Sequence, residues 1–174
     1  ASFYKKEVDR ENSCLSAEEI KRIVRSTIAL GTTSIVFTGG EPLLKNDIFE
    51  LIRSVDPSKA ICTLFTNGEL LSEETVIKLK KAGAFGVFVS FDSPEARLHD
   101  QNRKRQGIFQ KAVEGIKVCQ KHGLLTGIST YVTKEKIQSG ELDRLMDLGK
   151  ELNVLEVFIF DVIPVGRLDG AVIG

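Results

Sequence analysis

The residues best suited to ligand chemistry form a Gly-Gly-Glu-Pro run at positions 39–42. Two consecutive glycines carry no Cβ atoms, so the backbone groups of Gly39 and Gly40 can approach a bound molecule closely. Glu41 places a carboxylate beside them, and Pro42 restricts the backbone that leaves the run. Backbone oxygens together with a carboxylate suit an ammonium group, such as that of an amino acid. The same residues could instead form a tight turn with an exposed glutamate, and the run alone leaves both interpretations open.

Small polar residues also follow each later apolar segment of the chain. These segments end in Thr66-Asn67-Gly68, Ser90-Phe91-Asp92-Ser93, Thr130-Tyr131-Val132-Thr133 and Asp161-Val162-Ile163-Pro164-Val165-Gly166-Arg167. If the apolar segments are parallel strands, their carboxyl ends meet at one edge of the sheet, where ligands bind in such folds. The pattern therefore predicts a single ligand site at that edge.

Hydrophobic periodicity predicts five repeats of a helix followed by a strand. The predicted helices begin at Ser16, Asp47, Ser72, Ile108 and Ser139 or Gly140, and the predicted strands span 34–37, 60–65, 86–91, 124–132 and 156–162. This alternation, with nearly apolar strands, is typical of a parallel sheet covered by helices. Because the strand at 34–37 would otherwise be an open edge, we expect one more strand before it. Residues 1–174 are interpreted as one domain of a longer polypeptide, cut at both ends.

The composition excludes several classes of protein. Lys plus Arg and Asp plus Glu both number 24, so the chain lacks the basic excess typical of non-specific nucleic-acid binding. No apolar run approaches the roughly 18 residues that a membrane helix needs. The three cysteines, Cys14, Cys62 and Cys119, match neither a disulfide framework nor a metal-ligand spacing. We expect Cys62 and Cys119 to be buried, and a cytoplasmic protein with no membrane or nucleic-acid partner.

The string Phe37-Thr-Gly-Gly-Glu-Pro-Leu-Leu44 resembles the motif of the radical S-adenosylmethionine (SAM) superfamily that holds the methionine amino group of SAM. Three other segments resemble that family in the same order along the chain. They are 64–68 (Leu-Phe-Thr-Asn-Gly), 89–94 (Val-Ser-Phe-Asp-Ser-Pro) followed by His99, Asp100 and Arg103, and 163–167 (Ile-Pro-Val-Gly-Arg).

The resemblance implies an α/β fold, a (β/α)6 partial TIM barrel that here lacks its first strand. It also implies SAM and a [4Fe–4S] cluster as cofactors, with the cluster held by a C-x-x-x-C-x-x-C motif after that first strand. Reductive cleavage of SAM would form a 5′-deoxyadenosyl radical for hydrogen abstraction, with a ferredoxin or flavodoxin as electron donor. This sequence departs from the family because it contains no such cysteine triplet. We therefore predict that these 174 residues alone bind no cluster and catalyse nothing.

The resemblance implies cofactor contacts at ten positions and assigns no catalytic residue. The ten are Gly39, Gly40, Glu41, Pro42, Thr66, Asn67, Ser90, Asp92, Arg103 and Thr130. The glycines and Glu41 would meet the amino group, Thr66 and Asn67 would line the pocket near the carboxylate or cluster, and Ser90 would contact ribose or carboxylate with Asp92 close by. Arg103 could pair with the cofactor carboxylate or lie in a solvated loop over 100–106. His99 is expected to be a locally hydrogen-bonded loop residue, and Thr130 and Thr133 could face the adenosine or only shape the strand.

Two alternatives remain at the level of sequence. A Rossmann-type nucleotide-binding domain would use the glycine pair to bind phosphate. However, this sequence lacks the G-x-G-x-x-G motif and the acidic residue that such a domain would have at 66–67. A cluster-free scaffold of the same family would serve as a binding or structural module. For the substrate, the loop at 93–100 and the segment at 162–167 resemble the branch that modifies peptides or tetrapyrroles.

Overall fold

Five strands alternate with helices in residues 15–161, the part of the chain that the computed structural model describes. The elements are α1 (Ala17–Ala29), β1 (Ser34–Phe37), a 3₁₀ turn (Pro42–Leu44), α2 (Ile48–Arg53), β2 (Ile61–Thr66), α3 (Glu73–Ala82), β3 (Gly86–Ser90), α4 (Ala96–Arg103), α5 (Ile108–Lys121), β4 (Leu125–Val132), α6 (Lys134–Gln138), α7 (Glu141–Glu151) and β5 (Glu156–Asp161). The five predicted helix–strand repeats are confirmed to within one or two residues at most ends. Two short helices, α4 and α6, were not predicted.

The sheet is fully parallel, and its strands lie side by side in chain order from β1 to β5. A doubly wound nucleotide-binding sheet reverses its strand order at the point where the ligand binds. This order has no reversal, so the Rossmann alternative is wrong. Successive β–α units with monotonic order are the architecture of a (β/α) barrel, and these five strands form a curled partial barrel, as expected.

Local sequence explains where the helices begin and end. Ser16, the predicted start of the first helix, forms a reciprocal capping box with Glu19 at the start of α1. Ser72 caps α3 by accepting a hydrogen bond from the Thr75 amide. Gly83 ends α3 in the left-handed conformation with φ of 98°. Asp47 precedes α2 as predicted, although its side chain makes no capping bond there.

The hydrophobic core lies between the sheet and its helices. Alternate residues of each strand face the helices, and most of them are apolar, as in Leu64 of β2, Val87 and Val89 of β3 and Ile128 of β4. Cys62 and Cys119 belong to this core, as predicted. The other face of the sheet is the inside of the partial barrel. No helix within residues 15–161 has the length and apolar character needed to cross a membrane.

Candidate functional site

A cavity of about 600 Å³ lies at the carboxyl ends of the strands, within the range of about 300–1,000 Å³ typical of small-molecule sites. Eight of the ten predicted contact residues line it. These are Gly39, Gly40, Thr66, Asn67, Ser90, Asp92, Arg103 and Thr130. The topology therefore brings together residues up to 91 positions apart (130 − 39) at the predicted edge of the sheet.

Gly39 and Gly40 present free backbone to this cavity. Within residues 15–161, no hydrogen bond engages the amide or carbonyl group of either glycine. A Cβ atom built on either residue would meet nothing within 4 Å, so open space lies beside both. Gly39 has φ of 138°, which side-chain-bearing residues rarely adopt, whereas Gly40 has no such constraint. The pair can therefore offer backbone groups to a ligand.

Glu41 and Pro42 do not line the cavity. The Glu41 carboxylate instead accepts hydrogen bonds from Thr66 Oγ1 (2.6 Å), the Asn67 amide (2.8 Å) and the Leu43 amide (3.2 Å). Pro42 is buried at the start of the 3₁₀ turn. The Glu41 carboxylate thereby joins the loop after β1 to the end of β2 and the loop that follows it, so Glu41 is not the exposed glutamate of the tight-turn alternative. A direct contact of Glu41 or Pro42 with a cofactor stays a prediction.

Ser90 pairs with a residue that sequence reasoning missed. Its hydroxyl lies 2.9 Å from that of Ser129, its neighbour in the β3–β4 register, and both line the cavity. In such a pair one hydroxyl donates to the other, so the accepting serine keeps its own proton for a ligand. Thr130 also lines the cavity. Thr133 instead caps α6 by accepting a hydrogen bond from the Lys136 amide and is not among the described residues that line the cavity, so the adenosine contact considered for it stays a prediction.

Arg103 and Asp92 form a two-pronged ion pair on the cavity wall. Arg103 Nε lies 2.6 Å from Asp92 Oδ2, and Nη2 lies 2.7 Å from Oδ1. This planar fork geometry is the strong form of a charge-assisted pair. Within the described residues, Arg103 Nη1 has no hydrogen bond, and it remains for a ligand.

The solvated-loop alternative for residues 100–106 is wrong in its first half, because Arg103 is the last residue of α4. Asp100, also in α4, accepts hydrogen bonds from the Gly107 and Phe109 amides and so caps α5. These bonds lower the pKa of Asp100. The charge of this segment therefore reflects helix capping and ion pairing.

His99 is a helical residue and is fully buried, so its assignment to a loop is wrong, whereas its local hydrogen bonding is as expected. Its Nδ1 accepts a hydrogen bond from the Asp92 amide at 3.1 Å, and its ring packs against both Phe91 and Phe109. Burial lowers the pKa of His99, with smaller opposing effects from nearby carboxylates such as Asp92. It supports the wall and does not line the cavity.

The floor of the cavity is aromatic. Phe65, Phe158 and Phe160 line it, and Phe88 stacks against Phe65 with ring centroids 4.9 Å apart. Phe88 has room because residue 127 is glycine, where a Cβ atom would lie 2.2 Å from the Phe88 ring. The only indication of this floor in the sequence is the aromatic content of the strands. Residues 162–167, which complete the last predicted rim segment and include Arg167, lie outside the described residues.

The model of the Radical SAM superfamily matches residues 3–149 of this sequence. The chain belongs to the radical SAM superfamily. Members of this superfamily are enzymes that use SAM and a [4Fe–4S] cluster. The rim segments singled out above at residues 39–42, 66–68 and 89–94 all fall inside the matched range.

Individual relatives of this radical SAM chain differ in what they act on. It is 34% identical over 155 residues to the AdoMet-dependent heme synthase of Methanosarcina barkeri, covering 89% of this chain and 44% of that protein. It is 34% identical over 160 residues to the probable GTP 3′,8-cyclase of Sulfurisphaera tokodaii, covering 91% of this chain and 50% of that protein. The chain thus spans about half the length, or less, of these curated relatives.

Among solved structures, Streptococcus suis SuiB bound to its precursor peptide SuiA matches with a TM-score of 0.70. The two chains are 21% identical, and the match covers 89% of this chain and 34% of SuiB. At this identity the likeness shows the shared fold.

The described residues fit SAM but do not fit the cluster. The free backbone of Gly39 and Gly40, the hydroxyl pair and the open side of Arg103 suit the amino, ribose and carboxylate groups of SAM. No group of three potential metal ligands occurs between residues 15 and 161. Burial raises the pKa of both Cys62 and Cys119 to about 12, so their thiols are protonated and unsuited to bind iron. Cys14 lies outside the described residues.

Proposed function

We propose that the protein in its full length binds SAM in this cavity and is a radical SAM enzyme. In that chemistry, reductive cleavage of SAM yields a 5′-deoxyadenosyl radical that abstracts hydrogen from a substrate. The observation that carries the proposal is the backbone of Gly39 and Gly40, which has no hydrogen-bond partner within residues 15–161, in a cavity that Arg103 also lines. The chain residues supply binding and orientation, as is usual when cofactors carry the chemistry.

Each group of the lining has a defined role in this proposal. The carbonyl oxygens of Gly39 and Gly40 accept hydrogen bonds from the amino group of SAM. Arg103 donates from Nη1 to the carboxylate, while Asp92 holds the guanidinium plane in place. Of the Ser90–Ser129 pair, the hydroxyl that keeps its proton donates to the ribose.

The cluster ligands are proposed to come from a C-x-x-x-C-x-x-C motif in the loop after a further strand, since the 174 residues contain no such motif. A ferredoxin or flavodoxin is proposed as electron donor. A cluster-free scaffold of the family would bind SAM or a related molecule without cleaving it. Anaerobic reconstitution of the full-length protein, with iron, 5′-deoxyadenosine and methionine all quantified, separates the two, because a scaffold yields neither iron at cluster stoichiometry nor cleavage products.

Gly40→Ala is the sharpest test of the binding site. The added methyl group meets nothing within 4 Å and the backbone needs no left-handed conformation, so we expect the free energy of unfolding to change little. If SAM lies against this backbone, the methyl group occupies its place, and the dissociation constant measured by equilibrium dialysis should rise at least about tenfold. Gly31→Ala is an unsuitable control because Gly31 has φ of 94°. Ser58→Ala, on an exposed turn away from the cavity, is a suitable one. Unchanged SAM affinity in Gly40→Ala would contradict the proposed pose.

For the substrate, the aromatic floor favours a planar tetrapyrrole, with a peptide as the second candidate. Phe65, Phe158 and Phe160 give a flat apolar surface, and half of the Phe160 side chain is exposed. Aromatic rings stack on such surfaces with a gain of about 0.5–1.5 kcal/mol beyond burial of area. The heme synthase relative acts on molecules of that class by its name, and SuiB binds a precursor peptide.

Phe160→Ala tests this preference, with Phe85→Ala as the matched control. Both phenylalanines are about half exposed, but Phe85 immediately precedes β3 and so lies at the amino ends of the strands, opposite the cavity. We expect Phe160→Ala to weaken porphyrin binding by about 2–10-fold, as the loss of one stacking contact implies, and Phe85→Ala to leave it unchanged. Full-length protein would be titrated with a porphyrin, a candidate peptide and GTP. Binding of the peptide or GTP without the porphyrin would overturn the tetrapyrrole assignment.

A further inference from the structure

Lys136 is a buried lysine behind the cavity wall that the sequence did not single out. It lies in α6, and only 6% of its surface is exposed. Charged side chains are rarely buried to this extent unless they are paired. Burial lowers the pKa of Lys136, and Glu141 and Asp92 oppose that change. The free-energy cost of burying this ammonium group must be offset by the contacts that it makes.

The ammonium group of Lys136 joins the ends of two strands. Nζ donates to the Asp92 carbonyl at 2.5 Å, just beyond β3, and to the Tyr131 carbonyl at 3.3 Å in β4. It also lies 3.6 Å from the centre of the Tyr131 ring, in cation–π geometry, and 3.9 Å from Glu141. Asp92 and Tyr131 both line the cavity. Lys136 therefore fixes the wall from outside without lining the cavity itself.

Asp92 is held by side chains at every polar group it has. Its carbonyl accepts from Lys136, its amide donates to His99 Nδ1, and its carboxylate accepts both prongs of Arg103. The orientation of the Arg103 fork follows the orientation of the Asp92 carboxylate. That carboxylate in turn depends on the backbone that Lys136 and His99 hold.

We infer that Lys136 is a positioning residue for the carboxylate end of the ligand, acting through Asp92 on Arg103. The inference rests on the proposed function, because it assigns a role to Lys136 within the same SAM site. This role predicts a difference between ligands with and without a carboxylate. Loss of Lys136 must weaken ligands that carry the carboxylate and must leave ligands without it unaffected. A residue that only stabilised the fold would weaken both.

The test uses the full-length protein and two probes, SAM and its decarboxylated analogue, in equilibrium dialysis. We expect Lys136→Met to raise the dissociation constant for SAM about tenfold, because a well-placed hydrogen bond between charged groups is lost. The dissociation constant for the decarboxylated analogue should stay the same. Lys80→Met is the matched control. Lys80 is an exposed lysine that also donates to a backbone carbonyl, that of Gly123, but at the amino ends of the strands and away from the cavity.

A double-mutant comparison identifies the route. If Lys136 acts through Arg103, Lys136→Met should weaken SAM binding little further once Arg103→Met is present, because the two changes remove one interaction. Additive losses, or an equal loss for both probes, would overturn the positioning role.

Lys136→Gln, which keeps an amide donor, is measured in parallel. Failure of both Lys136 variants to fold would make Lys136 a structural residue and overturn the inference. A wild-type protein that binds neither probe overturns the proposed function, whereas normal wild-type binding with unchanged Lys136→Met binding overturns this inference alone.

Discussion

Replacing Glu41 with glutamine tests whether its carboxylate locks the loop after β1 to the loop after β2. Two carboxylate oxygens accept hydrogen bonds from Thr66 Oγ1 and from the amides of Asn67 and Leu43. Glutamine has the same shape but one acceptor oxygen, so at least one of the two backbone amides would face its NH₂ group. An unsatisfied backbone N–H costs about 1–3 kcal/mol. The remaining bonds also lose their charge assistance, which makes them roughly half as strong.

From these terms we expect Glu41→Gln to lower the free energy of unfolding by about 2–3 kcal/mol. Urea titration of the 174-residue chain, followed by far-ultraviolet circular dichroism, measures this change, provided the slope with urea is the same as in wild type. Glu74→Gln is the control, because Glu74 forms an exposed pair with Lys78 on the surface of α3 and should matter little. If both variants lost the same stability, the hydrogen bonds of Glu41 would not hold the loops, and its carboxylate would be available to a ligand.

Three further predictions concern the interior. Gly127→Ala places a Cβ atom 2.2 Å from the Phe88 ring, so the free energy of unfolding should fall by about 2–3 kcal/mol in urea titration, and Phe88→Leu should restore part of it. Burial lowers the pKa of His99 from the ordinary 6.5, so the unfolded chain takes up a proton at a pH where the folded chain does not. The contribution of neutral His99 to the free energy of unfolding is therefore fully present above pH 6.5 and is lost as the pH falls through the lowered pKa. His99→Leu should flatten the dependence of the urea midpoint on pH in that window, and an unchanged slope would refute this. Cys62 and Cys119, with pKa values raised to about 12 by burial, should react with a thiol reagent only after urea is added, tested in a Cys14→Ser background; rapid labelling of the folded chain would contradict their burial.

The parts of the fold that the sequence predicts well are those fixed by local chemistry. The capping box of Ser16 and Glu19, the cap at Ser72 and the stop at Gly83 each act within a few residues. Of the two helices that were missed, α6 has such a signal in the Thr133 cap but is short, and α4 has none. No side chain caps α4 at its own start, and α6 has only five residues.

The parts of the site that the sequence misses depend on contacts between strands. Ser129 enters the cavity because the β3–β4 register places it opposite Ser90. Phe158 enters because β5 pairs with β4 so that Phe158 stands opposite Ser129. Neither register can be derived from a single segment. Lys136 was missed for the same reason, since its partners are 44 and five residues away along the chain.

The structure also changes how charge at the rim is to be understood. The sequence suggests that Glu41 and Asp92 are there for a ligand, but both carboxylates are hydrogen-bonded to the protein itself, Glu41 to the β2 loop and Asp92 to Arg103. A cationic amino group in the cavity would therefore depend mainly on the free carbonyl groups of Gly39 and Gly40, which have no internal partner in the described chain. Gly40→Ala should then weaken SAM binding more than Glu41→Gln does. Both variants would be compared without urea, at a temperature at which each is fully folded. The opposite order would mean that the Glu41 carboxylate, and not the glycine backbone, recognises the ammonium group.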